Sequence, residues 1–148
     1  MQYPQSSIEE RRPAAYSNLV PIALEEAPLV VVVDDDPSVL RSLQSLLLSR
    51  GLRVQAFSSG AELLAWSELG EASCLILDLA MPETSGWDVV SQLRATRRLV
   101  PFVVLSALAE HGDVRAQMLA NGADACLRKP ASGSELLEAV ETALRRRA

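Results

Sequence analysis

A chain of 148 residues with 49% hydrophobic content predicts one domain with a sizeable buried core. A net charge of -5, with no basic stripe ahead of Arg145-Arg146-Arg147, argues against a nucleic-acid-binding surface. No apolar run approaches the ~20 residues of a membrane span, and the polar opening MQYPQSSIEERRPAAY lacks the apolar segment of a secretory leader, so a soluble cytoplasmic domain is expected.

Residues 1–28 carry prolines, clustered charges and no sustained period, and read as a flexible N-terminal arm ahead of a domain at 29–147. Within the arm, NLVPIAL (18–24) is an apolar segment that could dock elsewhere. The run LVVVV (29–33) predicts a buried strand, and a helical pattern follows from Pro37 to Arg50. Its signals are Asp36 as N-cap, Pro37 at the first helical position and Gly51 as the stop. Next come a short strand near 52–56, a helix near 60–69, the buried strand CLIL (74–77) and a helix near 86–96. The strand PFVVL (101–105) precedes a helix near 112–120 with few large apolar residues. A strand around 124–127 leads to an amphipathic helix from Gly133 to Arg146, opened by the capping-box pair Ser132 and Glu135.

Five strands alternating with five helices predict right-handed βαβ units, a parallel sheet and helices on both faces. Folds of this kind bind ligands beyond the carboxyl ends of their strands. At those ends stand Asp34-Asp35-Asp36, Asp78, Ser106 and Lys129-Pro130, while the second strand ends in apolar Ala56-Phe57. Two carboxylates 4 Å apart repel by ~4 kcal/mol at an effective dielectric of ~20, a load that a hard divalent cation such as Mg²⁺ removes. Lys129 adds a second positive charge, and of the 14 basic residues it is the sole lysine among arginines. A lysine can pair with Asp78 or hold a phosphate oxygen, and Ser106 can donate to the same phosphate. The set suits phosphoryl transfer, which depends mainly on positioning and charge neutralisation. No GxxxxGK[ST] loop is present, so the phosphoryl group need not come from a bound nucleotide.

The stretches VVVVDDDP, LILDLAMPETSG, VVLSA and LRKP resemble the receiver domain of two-component response regulators, over roughly residues 29–147. The resemblance implies an α/β fold: a flavodoxin-like five-stranded parallel sheet of order 2-1-3-4-5 with five helices, in a three-layer α/β/α sandwich. It implies that Asp78 accepts the phosphoryl group from a sensor histidine kinase or a histidine phosphotransfer protein. Asp34 and Asp35 match the acidic pair that holds Mg²⁺, with the backbone carbonyl of Ala80 completing the metal site. Ser106 matches the switch hydroxyl, Lys129 the lysine that contacts the phosphoryl group, and Pro130 the proline that often follows a cis bond. Such a domain catalyses its own phosphorylation and dephosphorylation without being a turnover enzyme. Dimerisation on phosphorylation is a further implication, as is the absence of direct nucleic-acid or membrane contact.

Two positions depart from the family pattern. Three residues before the lysine, where receivers commonly carry Tyr or Phe, stands Cys126; after Lys-Pro, where Phe is frequent, stands Ala131. These departures keep open a second reading, a non-switching adaptor that acts by protein–protein binding. A haloacid-dehalogenase-type phosphatase expects Asp-x-Asp at its nucleophile, whereas the chain has Asp78-Leu79-Ala80. His111, in a polar loop, is expected at the surface, the thiols of Cys74 and Cys126 in the core, and Trp66 and Trp87 as packing residues.

Overall fold

The structure, a computed structural model, describes residues 27–97 and 100–147. The arm expected at residues 1–28, including the NLVPIAL segment, lies outside the described residues but for its last two. From Leu29 onward the sequence settles into strands and helices in strict alternation. These are β1 (Leu29–Val33), α1 (Pro37–Leu48), β2 (Arg53–Phe57), α2 (Gly60–Ala65), β3 (Cys74–Leu77), α3 (Gly86–Ala95), β4 (Phe102–Ser106), α4 (Gly112–Ala120), β5 (Ala125–Arg128) and α5 (Gly133–Arg147). Two short 3-10 turns, Leu69–Glu71 and Ala107–Glu110, complete the described chain.

The strands form one parallel sheet in the order β2-β1-β3-β4-β5, so the flavodoxin-like fold expected from the sequence is present. In β1, β3 and β4 both faces are covered, which is why these strands are continuous apolar runs and do not alternate with polar residues. Alternate side chains supply two separate cores. Val31, Val33, Leu75, Leu77 and Val104 pack with Leu63, Val89, Leu93 and Met118 of α2, α3 and α4. Val30, Val32, Ile76, Val103 and Leu105 pack with Leu43, Leu47, Leu136 and Val140 of α1 and α5.

Capping follows the sequence signals. The Asp36 carboxylate accepts from Ser38 N at 2.9 Å and opens α1, and Ser132 and Glu135 exchange backbone–side-chain hydrogen bonds at 3.1 and 3.3 Å to open α5. Helix α1 stops at Leu48, two residues before the expected end, and Gly51 turns the chain with φ 76°. A larger difference concerns α2, which ends at Ala65 and does not reach Leu69. Trp66 leaves the helix with extended backbone, and its ring packs on Phe57 with centroids 5.3 Å apart; Leu69 is then buried by a 3-10 turn. Apolar spacing predicted burial correctly but not the hydrogen-bond pattern that achieves it.

Asp124 takes a structural role that its sequence context did not suggest. Its nearly buried carboxylate accepts from Phe102 N at 3.1 Å and from Arg146 Nε at 3.0 Å, tying the starts of β4 and β5 to the end of α5. One arginine of the terminal basic cluster is therefore spent on packing.

Candidate functional site

Parallel pairing sets β1 and β3 side by side at the centre of the sheet, with Val33 opposite Leu77. The next residue of each strand is an aspartate. Asp34 N donates to Phe57 O at 3.2 Å and Asp78 N to Val33 O at 3.1 Å, so both backbones are still held by the sheet where the carboxylates begin. Asp34 is 2% exposed and Asp78 4% exposed, whereas Asp35 faces solvent. One oxygen from each of the three carboxylates lies within 4.8 Å of the others. The third aspartate of the opening triplet, Asp36, turns away to cap α1, but its N–H donates to Asp34 Oδ1 at 2.9 Å.

Lys129 follows β5, two strands from β3, a lateral distance of roughly 10 Å. A long flexible stem is needed to cross the end of β4, which explains why a lysine suits this position. Its Nζ lies 2.6 Å from Asp34 Oδ2 and 3.0 Å from Asp78 Oδ2, bridging both buried carboxylates. Lys129 N donates to Ser106 O at 3.2 Å, and the following peptide to Pro130 is cis.

Burial pushes the Asp34 carboxyl above its ordinary range despite hydrogen bonds from Lys129 and the Asp36 N–H, and the neighbouring Asp78 charge adds to the rise. Burial alone would pull the Lys129 ammonium down. Hydrogen bonds to Asp34 and Asp78, with their charges, outweigh it and hold the group above its ordinary value.

The loop after Asp78 is folded tightly against it. Ala80 N donates to Asp78 Oδ1 at 3.1 Å, Glu83 adopts the left-handed region at φ 62°, and Gly86 N returns to Leu79 O at 3.0 Å. A Cβ on Gly86 would lie 2.3 Å from the Asp78 carbonyl oxygen, so only glycine lets α3 begin so close to that peptide. Sequence reasoning took Gly86 only as a helix start. Its contact is with backbone eight residues earlier, and no local signal encodes that.

Ser106 is fully buried at the end of β4. Its Oγ accepts from Leu108 N at 3.3 Å and caps the Ala107–Glu110 turn. Of the expected site residues, Asp34, Asp35, Asp78 and Lys129 are thus drawn together, and Ala80 adjoins them through its N–H. The Ser106 side chain is engaged elsewhere. Cys126 is buried opposite Val104 on the α2–α4 side, Cys74 lies in the other core, and both thiols are free. His111 is exposed beside Glu110, and Trp87 packs against the larger core. Ala131 lines an apolar groove between α1 and α5, with Leu46, Leu105 and Leu136, that opens beside Lys129 and Pro130.

Residues 30–141 match the family model described as the response regulator receiver domain. Among characterised relatives, the response regulator protein TodT of Pseudomonas putida is 37% identical over 123 residues, covering 82% of this chain and 53% of that protein. The transcriptional regulatory protein KdpE of Mycobacterium tuberculosis is 39% identical over 118 residues, covering 80% and 51% respectively. The chain thus spans about half the length of these relatives. Among solved structures, that of the response regulator StyR is 38% identical with a TM-score of 0.72, covering 82% of this chain and 61% of that one. Among the described residues no helix is long and apolar enough to cross a membrane.

Proposed function

The chain belongs to the response regulator receiver family of two-component systems, and from that premise we propose that Asp78 accepts a phosphoryl group from a phosphohistidine on a sensor kinase or histidine phosphotransfer protein. The observation that carries this reading is the Lys129 ammonium seated between the Asp34 and Asp78 carboxylates, with Asp35 completing the cluster. Three carboxylates and one ammonium leave two negative charges in excess, a balance that fits a divalent cation. Asp34, Asp35, Asp78 and the Ala80 carbonyl would hold Mg²⁺, which when bound neutralises charge on the phosphoryl oxygens.

In the transfer, an Asp78 carboxylate oxygen forms the new O–P bond as the donor's P–N bond breaks. The imidazole leaves with the electron pair, and Asp78 becomes an acyl phosphate. Lys129 exchanges its Asp78 oxygen for a phosphoryl oxygen and keeps Asp34, so the ammonium is never without a carboxylate. Ser106 donates a hydrogen bond from its hydroxyl to the same phosphoryl group. Attack of water on phosphorus resets the domain. This chemistry belongs in the cytoplasm, and a phosphorylation-dependent homodimer is its simplest output, with no direct nucleic-acid contact from this domain.

A specific observation favours a second reading: with Cys126 in place of an aromatic residue, the domain could bind a partner without switching. Intact mass after incubation with acetyl phosphate separates the two. One added phosphoryl group, dependent on Mg²⁺ and absent from Asp78→Asn, is expected. A folded protein that gains no mass from acetyl phosphate or from a phosphorylated histidine donor would leave only the adaptor reading.

A further inference from the structure

Between α1 and α5 the surface is open and apolar. A groove of about 480 Å³ runs there, walled by Val39, Leu43 and Leu46 of α1 and by Leu105, Ala131 and Leu136 opposite. Ala131, where receivers frequently carry Phe, leaves part of that space unfilled. Gly133, at the start of α5, adds no side chain, and a Cβ there would stand 3.4 Å from the tip of Leu46. Val39, Leu46 and Ala131 are left only half-buried.

The chain itself carries an apolar segment of matching length. NLVPIAL (18–24) is the longest apolar run ahead of Ala27, and it lies outside the described residues. Pro21 fixes its own φ and biases Val20 toward extended backbone, so the segment is suited to an extended track and not to a helix. In an extended chain Val20, Ile22 and Leu24 project to one side. Taking that side out of water needs an apolar partner.

Where the arm joins the domain decides which surface it can reach. Arg53 Nε donates to Ala27 O at 2.8 Å and Arg53 N to Pro28 O at 3.0 Å, so the arm departs beside the start of β2. Arg50 stands just past α1, four residues after Leu46, the spacing of neighbours on one helix flank. Among the described residues neither Arg50 nor Arg53 has a carboxylate within ion-pair distance. Glu25 and Glu26, directly ahead of Ala27, bring two. From Arg50 back to Ser38, at the far end of the groove, α1 rises about 18 Å. Five extended residues from Glu25 to Val20 span about 17 Å. With Glu25 at Arg50, the face formed by Val20, Ile22 and Leu24 therefore covers the length of the groove.

We propose that residues 18–24 seat in the groove between α1 and α5 as an extended strap. Val20, Ile22 and Leu24 lie against Leu46, Ala131 and Leu136, and Glu25 and Glu26 meet Arg50 and Arg53. Lys129 and Pro130 line the same groove, so the strap forms one flank of the acidic edge. Its seating depends on the groove and the arm alone, whatever Asp78 accepts.

A spin label on the arm of the full chain reads this directly. Cys74 and Cys126 are buried, so a nitroxide maleimide added to Asn18→Cys attaches to the arm. Amide signals of Ser42, Ala131 and Gly133 should lose most of their intensity, and reducing the nitroxide should restore it. Those of Leu69 and Glu71, in the turn before β3 on the opposite face, should keep theirs and report an intact fold. Ile22→Asp, which puts a charge on the inserted face, should abolish the selective loss. Ala131→Phe, which fills the groove from the other side, should do the same.

An even loss over the whole domain, or none, overturns the strap. So does a selective loss that survives both Ile22→Asp and Ala131→Phe. Mixing spin-labelled chain with isotope-labelled chain that lacks the spin label identifies the occupant. Loss at the groove in that mixture would assign the site to the arm of a second copy and overturn seating within one chain.

Discussion

Two regions at the carboxyl edge of the sheet, the acidic cluster beyond β1 and β3 and the connection from β4 into α4, are built to different standards. Around Asp34, Asp78 and Lys129, every buried polar atom is held: two carboxylates share one ammonium, and backbone amides of Asp36 and Ala80 occupy the remaining oxygens. A few residues away, the Ala107–Glu110 turn and α4 are secured by a 3.3 Å capping bond to Ser106, the His111 N to Leu108 O bond, an exposed ion pair and the buried Ala109 and Met118. Strong fixing at the first region and weak fixing at the second is what a domain needs if chemistry is to be pre-arranged and its consequence mobile. The contrast can be broken by mutation.

The largest effect should come from Lys129→Met. Removing one partner of a buried ion pair leaves Asp34 and Asp78 facing each other, which costs about 3 kcal/mol, the low end of the usual range because the lysine keeps some contact with water. Urea unfolding in metal-free buffer reads the loss. The same comparison has a defined pH signature. The folded ammonium lies above its ordinary 10.5, so its stabilisation is complete below that pH and disappears as pH rises through the folded value. The gap between wild type and Lys129→Met should therefore be constant near neutrality and close in alkali. As Lys129 is the sole lysine, a lysine-selective NMR label reports its titration directly; a midpoint below 10.5 would refute the bridge.

Glycine-to-alanine changes offer a paired probe of the same contrast. At Gly86 the added carbon meets the Asp78 carbonyl oxygen at 2.3 Å and Leu79 Cα at 2.7 Å, so backbone has to move, at a cost of about 2–3 kcal/mol. The displaced peptide belongs to the proposed acceptor, and phosphorylation by acetyl phosphate should slow along with the loss of stability. At Gly112, the first residue of α4, no atom lies within 4 Å of the added carbon. Alanine there should leave stability unchanged or raise it by up to about 0.5 kcal/mol through helix propensity. Equal losses at both glycines would erase the distinction between the fixed and the loose region.

The fixed region was also the more legible one. Strand ends are announced by the change from apolar to polar, so Asp34, Asp78 and Lys129 could be placed on one edge from the strand pattern, and a sole lysine before a proline stood out. The cap of α1 was readable because its partners are local. What escaped was non-local: the approach of Gly86 to Asp78, the Asp124 contacts with Phe102 and Arg146, and the exit of Trp66 from α2 onto Phe57. The Ala107–Glu110 turn escaped for another reason. ALAE has good helix propensity, and only the position of Ser106 at the strand end makes it a capped 3-10 turn instead of the first turn of a longer helix.

The smallest expected effect lies on the Arg128–Glu110 pair, and it sharpens the comparison most finely. Both side chains are well exposed and their charges are 3.7 Å apart, so Glu110→Gln should change global stability by no more than about 0.5 kcal/mol. Global unfolding does not report the turn, however, because local opening has its own, smaller free energy. Hydrogen exchange at the His111 amide, which donates to Leu108 O across the turn, reads that local equilibrium. In Glu110→Gln it should speed by about twofold, as the loss of a few tenths of a kcal/mol gives. Exchange of the Asp78 amide, bonded to Val33 O in the centre of the sheet, should not change. An equal change at both amides would mean that the turn opens only when the whole domain does, and the loose region would then be no looser than the acidic edge.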